Sequence, residues 1–207
     1  MRETEITVWT IGHSMHTYER LLQLLRSAEI TAVADVRTSP YSRHFPQFGK
    51  DALRDELRMD GIAYSFLGKE LGGRPTGSQY YCDGIADYEL MAKSLEFRHG
   101  IQRVLDGAQK YRVALMCSEH DPLDCHRCLL VGRALAKRGV GVKHIHPNGG
   151  ILTQGEIEER LLKLESHDGG DLFMSSDERL AAAYRKRARK VAYTEPSNGA
   201  SDAIAAE

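Results

Sequence analysis

Two hydrophobic periods take turns along this chain as far as about residue 165. Ile6-Thr7-Val8-Trp9-Thr10-Ile11 is a β-rich run that stops at Gly12. From Thr17, a residue type that caps helices, Leu21, Leu22, Leu24, Leu25 and Ala28 recur with helical period. Ile30 to Val36 is nearly continuous in apolar residues, as a strand buried on both faces of a parallel sheet is. Phe48 to Met59 predicts a helix, Gly61 breaks it, and Ile62 to Phe66 predicts a third strand. Residues 68–84 hold Gly68, Gly72, Gly73, Gly77 and Gly84 around Arg74-Pro75, which predicts a long functional or mobile loop. A helix follows from Ile85 to Gln109, interrupted near Gly100, and Val113 to Met116 supplies a fourth strand. A helix from about Cys125 to Lys137 leads to a fifth strand around Val142 to Ile145. Further helices are predicted at Gln154 to Leu164 and Ser176 to Val191, with a loop over Ser166 to Gly170.

Strand and helix alternate, so the pattern predicts a three-layer α/β sandwich with a mostly parallel five-stranded sheet. That domain is expected over residues 6–165, followed by a basic helix at 171–191. Residues 194–207, rich in Ser, Ala, Gly and acids, are expected to be a disordered tail. There is no internal repeat.

Composition narrows the setting. A net charge of −1 exerts no global pull on nucleic acid or membrane, so any attraction for anions must be local. No segment is long and apolar enough to span a bilayer, and Met1 to Glu5 lacks the apolar core of a signal peptide. Three of the four cysteines are bunched beside acids and histidines, unlike a secreted disulfide framework. The expectation is a reduced, cytoplasmic protein with no membrane partner.

That bunch, Cys117-Ser118-Glu119-His120-Asp121-Pro122-Leu123-Asp124-Cys125-His126-Arg127-Cys128, lies between the fourth strand and the next helix. In an α/β fold this is the open end of the sheet, where ligands bind. Cys125-His126-Arg127 in the first helical turn would meet unpaired N–H groups that lower a thiol's pKa or hold an anion. The bland alternative packs Cys125 as a small apolar residue and pairs Arg127 with Asp121 or Asp124. Cys125-x-x-Cys128 has metal-ligand spacing, with Cys117, His120 or His126 as further ligands, but a second ligand pair is missing and the site is read without metal. Zinc-deaminase spacing fails because Glu119 and Pro122 are too close for two helices. A thioredoxin-like pair lacks its fold context, and a phosphatase-type phosphate loop would be shorter and carry glycine.

Gly12-His13-Ser14 and Asp35-Val36-Arg37-Thr38-Ser39-Pro40-Tyr41-Ser42-Arg43 follow the first two strands, on the same sheet edge. Asp35 and Arg37 are read as turned to opposite faces, so that only one lines the cleft. His13, Arg37, Arg43, Arg74 and Arg127 together make a candidate basic pocket, with Asp35 or Glu119 as acid/base partner. A structural Asp35–Arg37 or Asp35–Arg43 ion pair is the alternative. Trp9 reads as core. The run Arg185-Lys186-Arg187-Ala188-Arg189-Lys190 is a solvated helix face or a nucleic-acid contact.

Thr10-Ile11-Gly12-His13-Ser14, Asp35-Val36-Arg37 with Pro40 and Ser42-Arg43, Leu71-Gly72-Gly73, and Cys117-x-Glu119 with Pro122 and Cys125-His126-Arg127 resemble one family. They are similar to the motifs of the domain-of-unknown-function family 488, over about Val8 to His146. The resemblance implies the fold and a site at Cys117, Glu119, Cys125, His126 and Arg127, without Cys128, and implies no particular reaction.

The leading expectation is an enzyme acting on an anionic, phosphate-bearing, nucleotide or nucleic-acid substrate at the C-terminal edge of the sheet. Cys117, Glu119, Cys125 and Asp35 are its candidate catalytic residues. His13, Ser14, Arg37, Arg43, Arg74, His126 and Arg127 are its candidate substrate contacts. A non-catalytic nucleic-acid or nucleotide-binding module and a metal-binding protein using the Cys117–Cys128 loop are the alternatives. The sequence names no cofactor and no oligomeric state.

Overall fold

In the computed structural model, which describes residues 6–41, 44–165 and 174–196, every predicted strand is present. The strands are β1 (Thr7–Gly12), β2 (Ala32–Asp35), β3 (Ala63–Phe66), a short pair β4 (Tyr81–Cys82) and β5 (Ile85–Ala86), β6 (Val113–Cys117), β7 (Gly141–Ile145) and β8 (Ile151–Thr153). The helices are α1 (Tyr18–Ser27), α2 (Lys50–Met59), α3 (Gly68–Leu71), α4 (Tyr88–Met91), α5 (Leu95–Ala108), α6 (Arg133–Ala136), α7 (Gln154–Glu165) and α8 (Ser176–Val191). A π-helical segment, Arg127–Gly132, runs into α6.

The main sheet has six strands in the order β3-β2-β6-β1-β7-β8, one more than the sequence pattern predicts. β3, β2, β6, β1 and β7 are parallel, while β8 adds an antiparallel edge. Three residues are too few for β8 to carry a readable period. Side chains alternate between two cores, as the pleat requires. Trp9, Ile11, Val33, Ala114 and Met116 face α1 and α2. Val8, Ala34, Val113 and Leu115 face the layer formed by α3 to α8. The α/β sandwich is therefore three-layered.

Helix boundaries follow local chemistry. Thr17 caps α1 by accepting from the Arg20 N–H at 3.3 Å. The expected helix over Ile85 to Gln109 is instead β5, α4 and α5, because Asp87 and Ser94 each cap a new start. Nor does Gly100 interrupt α5. Its missing side chain lets α5 lie against α3, where a Cβ would come within 2.7 Å of Glu70 and Leu71. The expected loop at 68–84 also holds α3 and a hairpin. Asp83 and Gly84, at φ 52° and 74°, form the two-residue turn that joins β4 to β5.

Residues 194–196 of the expected tail are described. Thr194 bridges Ile85, and the Glu195 N–H donates to the Gly84 carbonyl at 2.8 Å, so the chain after α8 straps onto the hairpin. Residues 197–207, and the expected loop at 166–170, lie outside the described residues.

A buried polar chain joins this C-terminal part to the middle of the sheet. Thr10 Oγ1 and His144 Nδ1 are 2.9 Å apart, His144 Nε2 and Gln154 Oε1 2.9 Å, and Gln154 Nε2 donates to Tyr184 Oη at 2.5 Å. Tyr184 then donates to Glu158 at 2.8 Å. The Gln154 oxygen can only accept, so His144 carries its proton on Nε2 and accepts from Thr10 on Nδ1. A neutral ring satisfies both partners, and burial lowers its pKa to about 4.

Between its ordinary pKa near 6.5 and about 4, His144 is protonated only in the unfolded chain, so its contribution to stability is complete above 6.5 and is lost as the pH falls. Urea unfolding between those limits should show a His144→Gln variant with a slope shallower than wild type by about 1.4 kcal/mol per pH unit. Parallel slopes would contradict this protonation assignment.

Candidate functional site

β6 lies between β1 and β2. The chain leaving β1 and β2 turns to one face of the sheet, and the chain leaving β6 turns to the other. The loops at their C-terminal ends therefore diverge and leave a crevice, the position where open α/β sheets bind ligands. The cleft has a volume of about 580 Å³, and His13, Ser14, Arg37, Arg74, Cys117, Glu119 and His126 are among its lining residues.

At its floor four side chains converge, with Cys117, Glu119 and His126 lining the cleft and Cys125 buried behind them. One donor atom from each of Cys117, Glu119, Cys125 and His126 lies within 4.8 Å of all the others. Cys117 ends β6, and Cys125 opens the next helix, its carbonyl accepting from the Cys128 and Leu129 N–H groups at 3.1 and 3.0 Å. His126 Nε2 donates to the Val36 carbonyl at 2.9 Å, so Nδ1 is the atom that faces the sulfurs, 3.8 Å from Cys117 and 3.9 Å from Cys125. Gly73 lies over this ring, where a Cβ would approach Nδ1 to 2.8 Å. Cys125 Sγ and Glu119 Oε2 are 2.9 Å apart, a separation that needs a shared proton, because thiolate and carboxylate repel.

The electrostatics are uneven. Burial opposes ionisation of both thiols. Hydrogen bonding from Cys117 and the charges of Arg127 and His126 nevertheless hold Cys125 well below the ordinary thiol range. Cys117 is pushed well above it by burial and by Cys125. Burial and the Cys125 charge also raise Glu119, while Cys125 outweighs burial to raise His126.

Arg127 does not line the cleft. It is wholly buried, with Nη1 donating to the Glu119 carbonyl at 2.7 Å and Nη2 to the His120 carbonyl at 3.1 Å. The expected substrate contact, and the alternative pairing with Asp121 or Asp124, both give way to this role. Asp121 pairs with Arg160, and Asp124 with Arg187. Gly12 makes room for the carbonyl that Arg127 holds, since a Cβ there would meet Glu119 O at 1.9 Å.

Asp35 and Arg37 are two apart in extended chain, share a face and meet, contrary to the expectation of opposite faces. Arg37 Nε and Nη2 donate to the two Asp35 oxygens at 2.9 and 2.6 Å, and Tyr64 donates to Asp35 at 2.8 Å. Arg37 lines the cleft, and Asp35 is buried beneath it. Arg37 Nη1 also reaches His13 Nε2 at 3.2 Å. Burial and the Arg37 charge lower His13 to about 4, a neutral ring stacked on Phe48 with centroids 4.4 Å apart.

Arg43 lies outside the described residues. Arg74 stands at the cleft wall over the Tyr193 ring, 4.8 Å from its centroid. Tyr64, Phe48, Gly73 and Tyr193 were not legible as site residues. Tyr64 and Phe48 act through neighbours, Gly73 lines the cleft itself, and Tyr193 arrives by the long-range strap. Cys128 belongs to a different environment, its buried thiol pushed up to about 12.

Arg185, Lys186, Arg187, Arg189 and Lys190 all pair with acids of this chain, namely Glu89, Glu165, Asp124, Asp83 and Glu165. These ion pairs hold α8 against the domain. No helix among the described residues is long and apolar enough to cross a membrane.

The family model described as "Domain of unknown function DUF488" matches residues 17–134. The chain belongs to this family. The match includes Asp35, Arg37, Arg74 and the whole Cys117–Arg127 loop of the DUF488 site, whereas His13 and Ser14 precede it. No curated protein and no solved structure matches the chain.

The packing around the DUF488 loop separates two glycines. Gly12→Ala should destabilise the fold by about 1–3 kcal/mol through overpacking. Gly107→Ala, in α5 with only Val113 at 3.7 Å from its new Cβ, should stabilise it by about 0.5–1 kcal/mol. Denaturant unfolding of both variants checks this, and a neutral Gly12→Ala would contradict the close approach.

Proposed function

We propose that this DUF488 protein is an enzyme acting on a phosphate-bearing or otherwise anionic substrate, for which nucleotides are the best fit. One observation carries the reading: two thiols, a carboxylate and an imidazole converge at the floor of a cleft that bears Arg37 and Arg74 on its walls, with Cys117, Glu119 and His126 lining it and Cys125 buried behind them. Neutral surfaces or nucleic-acid platforms do not need such a cluster; chemistry does.

In this reading the Arg74 guanidinium takes the anion, with the Arg37 N–H hydrogens left over by Asp35 and His13 beside it. His13 and Ser14 complete that wall. Tyr41, Phe45, Tyr88 and Tyr193 offer aromatic surface for a base or another flat group. Cys117, Glu119, Cys125 and His126 act on the reacting atoms as one unit. Asp35, locked under Arg37, becomes a positioning residue, and Arg127 sets the charge of the floor from below. A reducing, cytoplasmic setting suits the four free cysteines.

A non-catalytic module that binds nucleic acid through its basic helix has less support, since those charges are engaged in pairs within the chain.

Calorimetry with adenosine 5′-monophosphate as probe separates the two. Arg74→Ala should weaken binding about tenfold, the size of one charge-assisted hydrogen bond. Arg185→Gln with Arg189→Gln should leave it unchanged. Binding that ignores Arg74 and fails with the α8 changes would overturn the proposal.

A further inference from the structure

The geometry points to a divalent metal site of the zinc type, formed by Cys117, Cys125, His126 and Glu119. The inference deepens the reading above and rests on it: the cluster that works at the cleft floor works with a bound ion.

The donor spacing suits such an ion. Thiolates bind zinc at about 2.3 Å and imidazole at about 2.0 Å, which in a tetrahedron puts ligand atoms roughly 3.5 Å apart. The imidazole-to-sulfur distances of 3.8 and 3.9 Å, and the 4.8 Å limit on the whole group, need only small movements to reach that arrangement.

His126 is already oriented as a ligand. Metal-binding imidazoles donate the far N–H to a carbonyl or carboxylate, which fixes the tautomer and points the lone pair inward. The Val36 carbonyl takes Nε2–H here, and Nδ1 faces both sulfurs.

A third observation is independent of the cluster's own geometry. The wholly buried Arg127 forms no ion pair with a carboxylate among the described residues, its Nη atoms bind backbone carbonyls, and its Nε has no partner. A buried cation with no carboxylate partner calls for negative charge beside it. Two thiolates, one carboxylate, a neutral imidazole and a divalent ion sum to one negative charge, which Arg127 neutralises. Loading releases to solvent the Cys117 proton and the one shared by Cys125 and Glu119 as the sulfurs and the carboxylate bind.

Sulfur and imidazole select zinc over magnesium or calcium, which take oxygen. Cys117, Cys125 and His126 would be the fixed ligands. Glu119, the least buried of the four and facing the cleft, holds the position that substrate or water can take. Cys128, despite its Cys-x-x-Cys spacing, stands outside the donor group.

The test is elemental analysis of reduced, full-length protein purified without chelator, followed by cobalt titration of the stripped protein. Wild type and Cys128→Ser should each hold about one zinc per chain. Cobalt should raise a thiolate-to-metal charge-transfer band that saturates at one equivalent. Cys125→Ser and His126→Ala should fall below about a tenth of an equivalent. Wild type that stays below that level after incubation with zinc, with no cobalt band, would overturn the site without relying on any variant. So would loss of metal in Cys128→Ser alone. Metal-free protein that still binds adenosine 5′-monophosphate through Arg74 would leave the anion-cleft reading standing while the metal fails. Zinc-loaded protein indifferent to that probe would keep the metal site and overturn the anion cleft.

Discussion

Arg127 is the constraint on which the rest of the site depends. A guanidinium with no exposed surface must place its donors, and two of them hold the carbonyls of residues 119 and 120. That grip folds the Cys117–Cys125 loop back over the end of β1, where Gly12 leaves the space for it. With the loop so held, Glu119 meets Cys125, and the His126 ring swings under Gly73 toward both sulfurs. The same buried charge favours anionic sulfur beside it. One residue thus sets both the shape and the polarity of the cleft floor.

The topology supplies the space above that floor. Because β6 is flanked by two strands whose connections leave by the opposite face, the loops after β1, β2 and β6 part at a common edge. Each brings one kind of group: a neutral imidazole from β1, a carboxylate-locked arginine from β2, thiols and a carboxylate from β6. The loop after α3 and the strap after α8 add the basic and aromatic wall of Arg74 and Tyr193. Of this wall, Arg74 lies within the DUF488 match and Tyr193 beyond it.

Strands and helices of ordinary length were legible because burial on one or both faces imposes a period. Elements of two or three residues were not, and β8, β4 and β5 escaped for that reason, although Asp83-Gly84 is a recognisable hairpin turn. Gly100 misled because a glycine that breaks a helix and one that lets two helices touch look alike in sequence. The place of the candidate site was legible from Cys117 to Arg127, since the structure sets this loop at a strand end beside the cleft. The roles of its residues were less so. A sequence does not distinguish an arginine that lines a cleft, as Arg37 does, from one sealed under a loop, as Arg127 is. Cys125-x-x-Cys128 has ligand spacing, yet the helix carries Cys128 away and the fold brings Cys117, eight positions back, into its place.

Two sulfurs, one imidazole and one carboxylate lie within 4.8 Å of one another, and the proposed zinc-type site makes them a single centre. X-ray absorption at the zinc edge on zinc-loaded protein tests that most directly. It should require two sulfur scatterers at about 2.3 Å and two nitrogen or oxygen scatterers at about 2.0–2.2 Å. A shell of three or four sulfurs, or one with none, would contradict it.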